Sequence, residues 1–105
     1  MKPVEFLGDS LARLRAFPDE ARSEAGFQLK RVQQGKDPDD WKPLKAVGPG
    51  VREIRVREAS GAFRVIYLAT LLDRIVVLHA FQKKIQKTPR RDIDLAASRL
   101  RDLRR

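Results

Sequence analysis

The sequence predicts a single α+β domain, with helices packed on one small, mainly antiparallel sheet. Apolar residues recur at helical spacing over residues 9–34 and again beyond residue 89, whereas between residues 51 and 81 the period falls to two and then gives way to apolar runs rich in Val, Ile, Phe and Tyr. A stretch crowded with Gly and Pro separates the two regimes. The 105 residues are 42% hydrophobic, which suits one compact core and is too little for two. Residues 1–105 are therefore expected to form one domain, and the long apolar runs argue against disorder although 35% of the chain is charged.

Val4 to Leu7 reads as a short edge strand. Asp9 or Ser10 then caps a helix with Leu11, Leu14 and Phe17 on one face. Pro18 suits the first turn of a second helix to about Gln34, with Ala21, Ala25, Leu29 and Val32 as its buried stripe and Gly35 as its stop, so that the two form a helix hairpin. Gly35, Pro38, Pro43, Gly48, Pro49 and Gly50 exclude regular structure over most of the next segment, a long connection that Trp41, Leu44 and Val47 are expected to pin to the core. From Val51, Ile54 and Val56 face one way and Glu53, Arg55 and Arg57 the other. Ser60 and Gly61 supply a hairpin turn into two central antiparallel strands, Ala62 to Thr70 and Arg74 to Phe81. Thr88 and Pro89 open a last helix whose Ile93, Ala96, Ala97, Leu100 and Leu103 pack on the sheet.

Several chemistries are excluded by composition. The absence of cysteine removes disulfides and thiolate metal sites and makes the cytoplasm the expected compartment. Pro3, Glu5 and Asp9 interrupt the stretch that a signal peptide would need, and no apolar run approaches the roughly 20 residues that span a bilayer. Gly-rich phosphate loops, HExxH and EF-hand patterns are missing, so no metal or cofactor is expected. His79, between Leu78 and Ala80, reads as a satisfied core histidine, and Tyr67, of opposite parity to Arg64, as a core residue. A net charge of +9 remains, which creates a field that attracts polyanions such as nucleic acid, ribosome, an anionic membrane or an acidic protein.

That charge is patterned. Arg55 and Arg57 share a strand face, Arg64 lies just past the hairpin turn, and Lys83 and Lys84 end the third strand; Lys87 and Arg90 follow. Adjacent strands are only about 5 Å apart. Cations gathered so closely repel one another unless an anion arrives to compensate, although a solvated strand face with ion pairs to Glu53, Glu58 or Asp73 is the plainer alternative.

The stretches Trp41-Lys42-Pro43-Leu44-Lys45, Val51-Arg52-Glu53-Ile54-Arg55-Val56, Ser60-Gly61-Ala62-Phe63-Arg64-Val65-Ile66-Tyr67, Val77-Leu78-His79-Ala80-Phe81-Gln82-Lys83-Lys84 and Lys87-Thr88-Pro89, in this order, resemble the phage-derived, HigB-like branch of RelE/ParE toxins. The resemblance implies a RelE-like fold, cleavage of messenger RNA on the ribosome, and a cognate antitoxin, usually a helix-turn-helix protein. By position, Arg64 matches the hairpin arginine of such toxins, Arg55 and Arg57 stand where they carry strand lysines, and Lys84 matches a cation at the last strand's end. The aromatic residue often found at the start of the final segment has no counterpart in Pro89-Arg90-Arg91-Asp92, and the C-terminal histidine and acid groups of some HigB toxins are absent.

Metal-independent RNA cleavage needs a base for the ribose 2′-OH, an acid for the leaving 5′-oxygen and cations for the phosphorane charge. Arg64 is the first choice for the charge, with Arg55 and Arg57 positioning the backbone, because guanidinium donors match phosphate oxygens two at a time. Lys84 is the expected acid, since neighbouring cations lower a lysine's pKa, and Glu53 is the carboxylate that parity offers as base or as structural ion-pair partner. Lys83, Lys87 and Arg90 complete the RNA-binding set. A ParE-like gyrase poison and a basic module that binds nucleic acid or ribosome without cutting are the alternatives, and fold alone does not separate them.

Overall fold

A computed structural model describes residues 1–105. Its elements are β1 (Val4–Phe6), α1 (Ser10–Arg15), α2 (Asp19–Gln33), β2 (Trp41–Pro43), β3 (Val51–Glu58), β4 (Gly61–Leu68), β5 (Ile75–Lys83) and α3 (Arg90–Leu103). The strands form one sheet in the order β1-β5-β4-β3-β2. Pairing is antiparallel from β2 to β5, and β1 alone runs parallel to its neighbour, β5. The α+β class, the helix hairpin and the three adjacent strands expected from sequence are all present.

Both faces of the sheet are covered. On one, Leu14, Phe17, Ala25 and Leu29 from α1, α2 and the turn between them bury Ile54, Val56, Phe63 and Tyr67. On the other, Ala96 and Leu100 of α3, joined by Leu44 and Val47, bury Ile66, Leu68, Val76 and Leu78. A strand buried on both faces has no reason to alternate, which is why β4 and β5 read as continuous apolar runs. No helix is long and apolar enough to cross a membrane.

The connection at residues 35–50 is more ordered than its Gly and Pro content suggests. Trp41–Pro43 adds an edge strand opposite Ile54 to Arg52, and an edge is where a proline's missing N–H is tolerated. Leu44 and Val47 are buried as expected, and Trp41 is half-buried with the Arg52 guanidinium 4.0 Å above its ring. The helix starts also differ in detail. Pro18 and Pro89 stand immediately before α2 and α3 rather than inside the first turn, and none of the three helices has a side-chain cap. Asp9 instead binds Arg13 at 2.8 Å and Arg99 at 2.6 Å, which ties α1 to α3.

A register shift in the β4–β5 ladder sets the second strand's facing. Ile66 pairs with His79 and Tyr67 with Val77, so Leu78 has no partner across the ladder. Such an extra residue re-aims its neighbours. Leu78 packs in the α3 cluster and the adjacent His79 also reaches α3, donating from Nε2 to Asp92 Oδ1 at 2.7 Å.

Candidate nucleic-acid interface

The register brings the predicted cations together. Arg55 lies directly opposite Arg64 across β3 and β4, Arg64 opposite Phe81, and Ala62 opposite Lys83. Side chains alternate along a strand, so Glu53, Arg55 and Arg57 share the face on which Val51 meets the α3 cluster. Near the tip of the β3–β4 hairpin this face opens into a groove of about 580 Å³, lined by Arg57, Arg64, Lys83 and Lys84 together with Glu58, Gly61, Ala62, Ile85 and Gln86. Four cations meet one lining carboxylate there, Glu58, and Glu53 lies buried behind Arg64, so even with both carboxylates counted the groove keeps an excess of positive charge.

Arg64 forms the floor. Its side chain is only 3% exposed, and a terminal nitrogen donates to the Phe63 carbonyl at 3.0 Å. Its pKa is pushed down by burial, with the Glu53 carboxylate opposing that shift, yet a guanidinium retains its proton at any physiological pH. Lys83, the last residue of β5, is half-buried beside it. Burial first, and the neighbouring Arg64 charge second, lower the Lys83 pKa. Lys84 is exposed one residue beyond the strand.

Not every predicted residue reaches the groove. Arg55 is held by Asp40, at 3.4 Å, and lies outside the groove lining. Lys87 is exposed and outside that lining, and Arg90 pairs with Asp94 at 3.1 Å on the first turns of α3. Glu53 is the clearest departure from expectation. Its side chain has no exposed surface; Oε2 accepts a hydrogen bond from the Thr88 hydroxyl at 2.8 Å, while Oε1 faces Arg64 at 3.5 Å and Lys42 at 3.7 Å. A general base must touch the proton it removes, and a carboxylate sealed behind Arg64 does not. Strand parity gave Glu53 its face correctly but not its depth, which β2 and the segment leading to α3 impose.

His79 is fully buried, stacked on Phe81 at 5.2 Å, and held by Asp92. Tyr67 is buried on the opposite face of the sheet, where burial raises its phenol pKa. No group of three or more His, Cys, Asp or Glu side chains is arranged to hold a metal ion. Sequence reasoning gave no role to Thr88 beyond opening a helix, nor any to Lys42, Asp40 or Asp92. Only the period-two pairing of a strand through Lys42 would have placed that lysine against Glu53.

These features define a class: small basic α+β proteins with a RelE-like fold. The structure matches that of an arginine-to-alanine double mutant of the E. coli toxin RelE in the free state, with a TM-score of 0.67 and 13% sequence identity over 97% of each chain. At this identity the likeness concerns the fold. The chain belongs to the family described as "Phage derived protein Gp49-like (DUF891)", whose pattern matches residues 12–101. No curated protein matches the sequence.

Proposed function

We propose that this protein is the toxin of a type II toxin-antitoxin system and cleaves messenger RNA without a metal ion, with the translating ribosome as the setting. The observation that carries the reading is the convergence of Arg57, Arg64, Lys83 and Lys84 on one groove that Glu58 in its lining and Glu53 behind Arg64 cannot neutralise. A phosphodiester supplies the missing negative charge. RelE-like architecture and the sequence resemblance to RelE-superfamily toxins support the same assignment.

In this mechanism the RNA backbone lies along the groove with a phosphate over Arg64. The ribose 2′-oxygen attacks phosphorus in line with the departing 5′-oxygen, and the developing phosphorane charge falls on Arg64 and Arg57. Lys83 is better placed than Lys84 to protonate the leaving oxygen, because it stands beside Arg64, where its surroundings disfavour the ammonium form. Lys84 then binds the adjoining phosphate, and Lys87 and Arg90 lie outside the groove, where they extend the contact along the strand. Glu58 is the only carboxylate among the lining residues; its Oε1 accepts hydrogen bonds from the Ser60 N–H and hydroxyl at the hairpin tip, and once released from Ser60 it takes the 2′-OH proton, the role that parity had offered to Glu53. An antitoxin segment rich in Asp and Glu would cover the groove and so block it; the sequence resemblance points to a helix-turn-helix protein.

Arg64→Lys tests the assignment. The ammonium keeps a positive charge near Glu53 but loses the planar fork, so cleavage of ribosome-bound mRNA is expected to fall by about 10²- to 10³-fold with the circular dichroism spectrum unchanged. An Arg64→Lys protein as active as wild type, or a wild type that binds RNA and cuts none on translating ribosomes, contradicts the nuclease reading; the second result leaves a non-catalytic basic module.

A further inference from the structure

The buried Glu53 carboxylate is shared unequally. Thr88 holds Oε2 through a 2.8 Å hydrogen bond, and Oε1 is left to Arg64 and Lys42 at 3.5 and 3.7 Å, distances of ion pairs rather than good hydrogen bonds. Glu53 Oε1 and Arg64 Nε are both buried without a hydrogen-bond partner. Two such atoms facing each other are unusual, because each forfeits an interaction that a small rotation of the carboxylate would supply. A carboxylate free to turn would meet the guanidinium side-on with both oxygens, the preferred geometry of this pair. The Thr88 bond stands in the way of that turn.

We propose that Thr88 is a positioning residue that keeps Glu53 from neutralising Arg64, and so leaves the guanidinium edge available to a phosphate in the groove. The inference deepens the reading given above and rests on it. Thr88 also ends the segment Lys84, Ile85 and Gln86 that walls the groove, so the same hydrogen bond fixes wall and floor relative to each other. Without the hydroxyl, Glu53 swings both oxygens onto Arg64. The charge that should meet the phosphorane is then spent inside the protein. Thr88→Val removes the hydroxyl at nearly constant volume, Thr88→Ser retains it, and Glu53→Gln removes the competing charge while keeping an acceptor.

The test measures single-turnover cleavage of mRNA on translating ribosomes, and affinity for an uncleavable 2′-O-methyl oligoribonucleotide, for wild type and these variants. Loss of one hydrogen bond to a charged group predicts a cleavage rate roughly 10- to 100-fold lower for Thr88→Val. Activity returns in Thr88→Ser and, in part, in the double variant Thr88→Val with Glu53→Gln. That last rescue separates positioning from a structural role, since adding a second substitution to a merely destabilised protein does not restore its rate. Equal rates for wild type and Thr88→Val, or a Thr88→Val defect that Glu53→Gln leaves unrelieved, overturn the inference while the nuclease reading stands. A wild type that binds RNA without cutting removes the nuclease reading alone, and the inference is then decided by whether Thr88→Val weakens oligonucleotide affinity. A wild type that neither binds nor cuts removes both.

Discussion

Glu53 and Arg64 depend on each other because both lie under the surface. Arg64→Ala leaves the buried Glu53 carboxylate with Lys42, at 3.7 Å, as its remaining ion-pair partner, so the fold is expected to lose stability by up to about 3–5 kcal/mol, measured by urea unfolding. Loss of activity in that variant alone would confuse folding with chemistry, which is why the lysine replacement is the sharper probe. His79 makes a separate prediction. Burial lowers its pKa below the ordinary 6.5, with the Asp92 hydrogen bond opposing, and Arg13 and Arg99 are the cations that also face it. As pH falls through about 6.5 the unfolded chain takes up a proton that the folded chain refuses, so stability declines on acidification until the folded pKa is reached. His79→Gln, which keeps a donor for Asp92, should flatten the urea midpoint between pH 7 and pH 5, provided the histidine is the source. Asp9 acts in a different window. Hydrogen bonds from Arg13 and Arg99 hold its pKa near 2 instead of 3.8, so its contribution is present above 3.8 and disappears as pH falls toward 2. At this scale the sequence was legible in part: spacing put Arg55 and Arg57 on one strand face and set Arg64, Lys83 and Lys84 at neighbouring strand ends, without telling which of the two lysines turns toward Arg64. Depth was not legible, because the burial of Glu53 and the Thr88 contact depend on chain 35 residues away.

Among the elements, those with long periodic signals were the readable ones. Helix α2 and strands β3, β4 and β5 follow directly from the apolar pattern, and the continuous runs of β4 and β5 already implied cover on both faces. Strand β2 escaped because it has three residues, one of them Pro43, and owes its existence to the free edge of β3 rather than to its own propensity. The shift at Leu78 escaped for a related reason: a bulge is set by what lies across the ladder, and no pattern within β5 marks it. The junction between β1 and α1 offers a test of packing between elements. Gly8 has φ +55°, and a methyl group there would meet the Arg99 guanidinium at 2.5 Å, where Arg99 also donates to the Leu78 carbonyl and to Asp9. Gly8→Ala therefore combines left-handed backbone strain with displacement of Arg99. A cost of roughly 1–2 kcal/mol is expected from the backbone alone, and an unchanged urea midpoint would show that the junction adapts freely.

For the molecule as a whole, the net charge of +9 matters less than its unevenness. Many cations are matched locally, as in Arg13 with Asp9, Arg22 with Asp19, Arg52 with Asp37 and Arg90 with Asp94. The groove is where matching fails, so RNA affinity should weaken steeply as salt is raised. Arg57→Ala should reduce the slope of log affinity against log salt by about one, the signature of a lost phosphate contact. Fold class was readable at this scale from alternation of period. The two-sided cover of the sheet was readable only in outline, because which helix takes which face is settled by packing. The parallel pairing of β1 with β5 imposes an order on biosynthesis. Val4 is made early, yet its neighbour Ile75 must follow before the outer edge of the sheet can close. At ~5–20 residues per second that interval lasts roughly 4 to 14 s. During that interval the nascent chain carries its first strand without a neighbour, and the groove does not yet exist, because Lys83 and Lys84 are made later still.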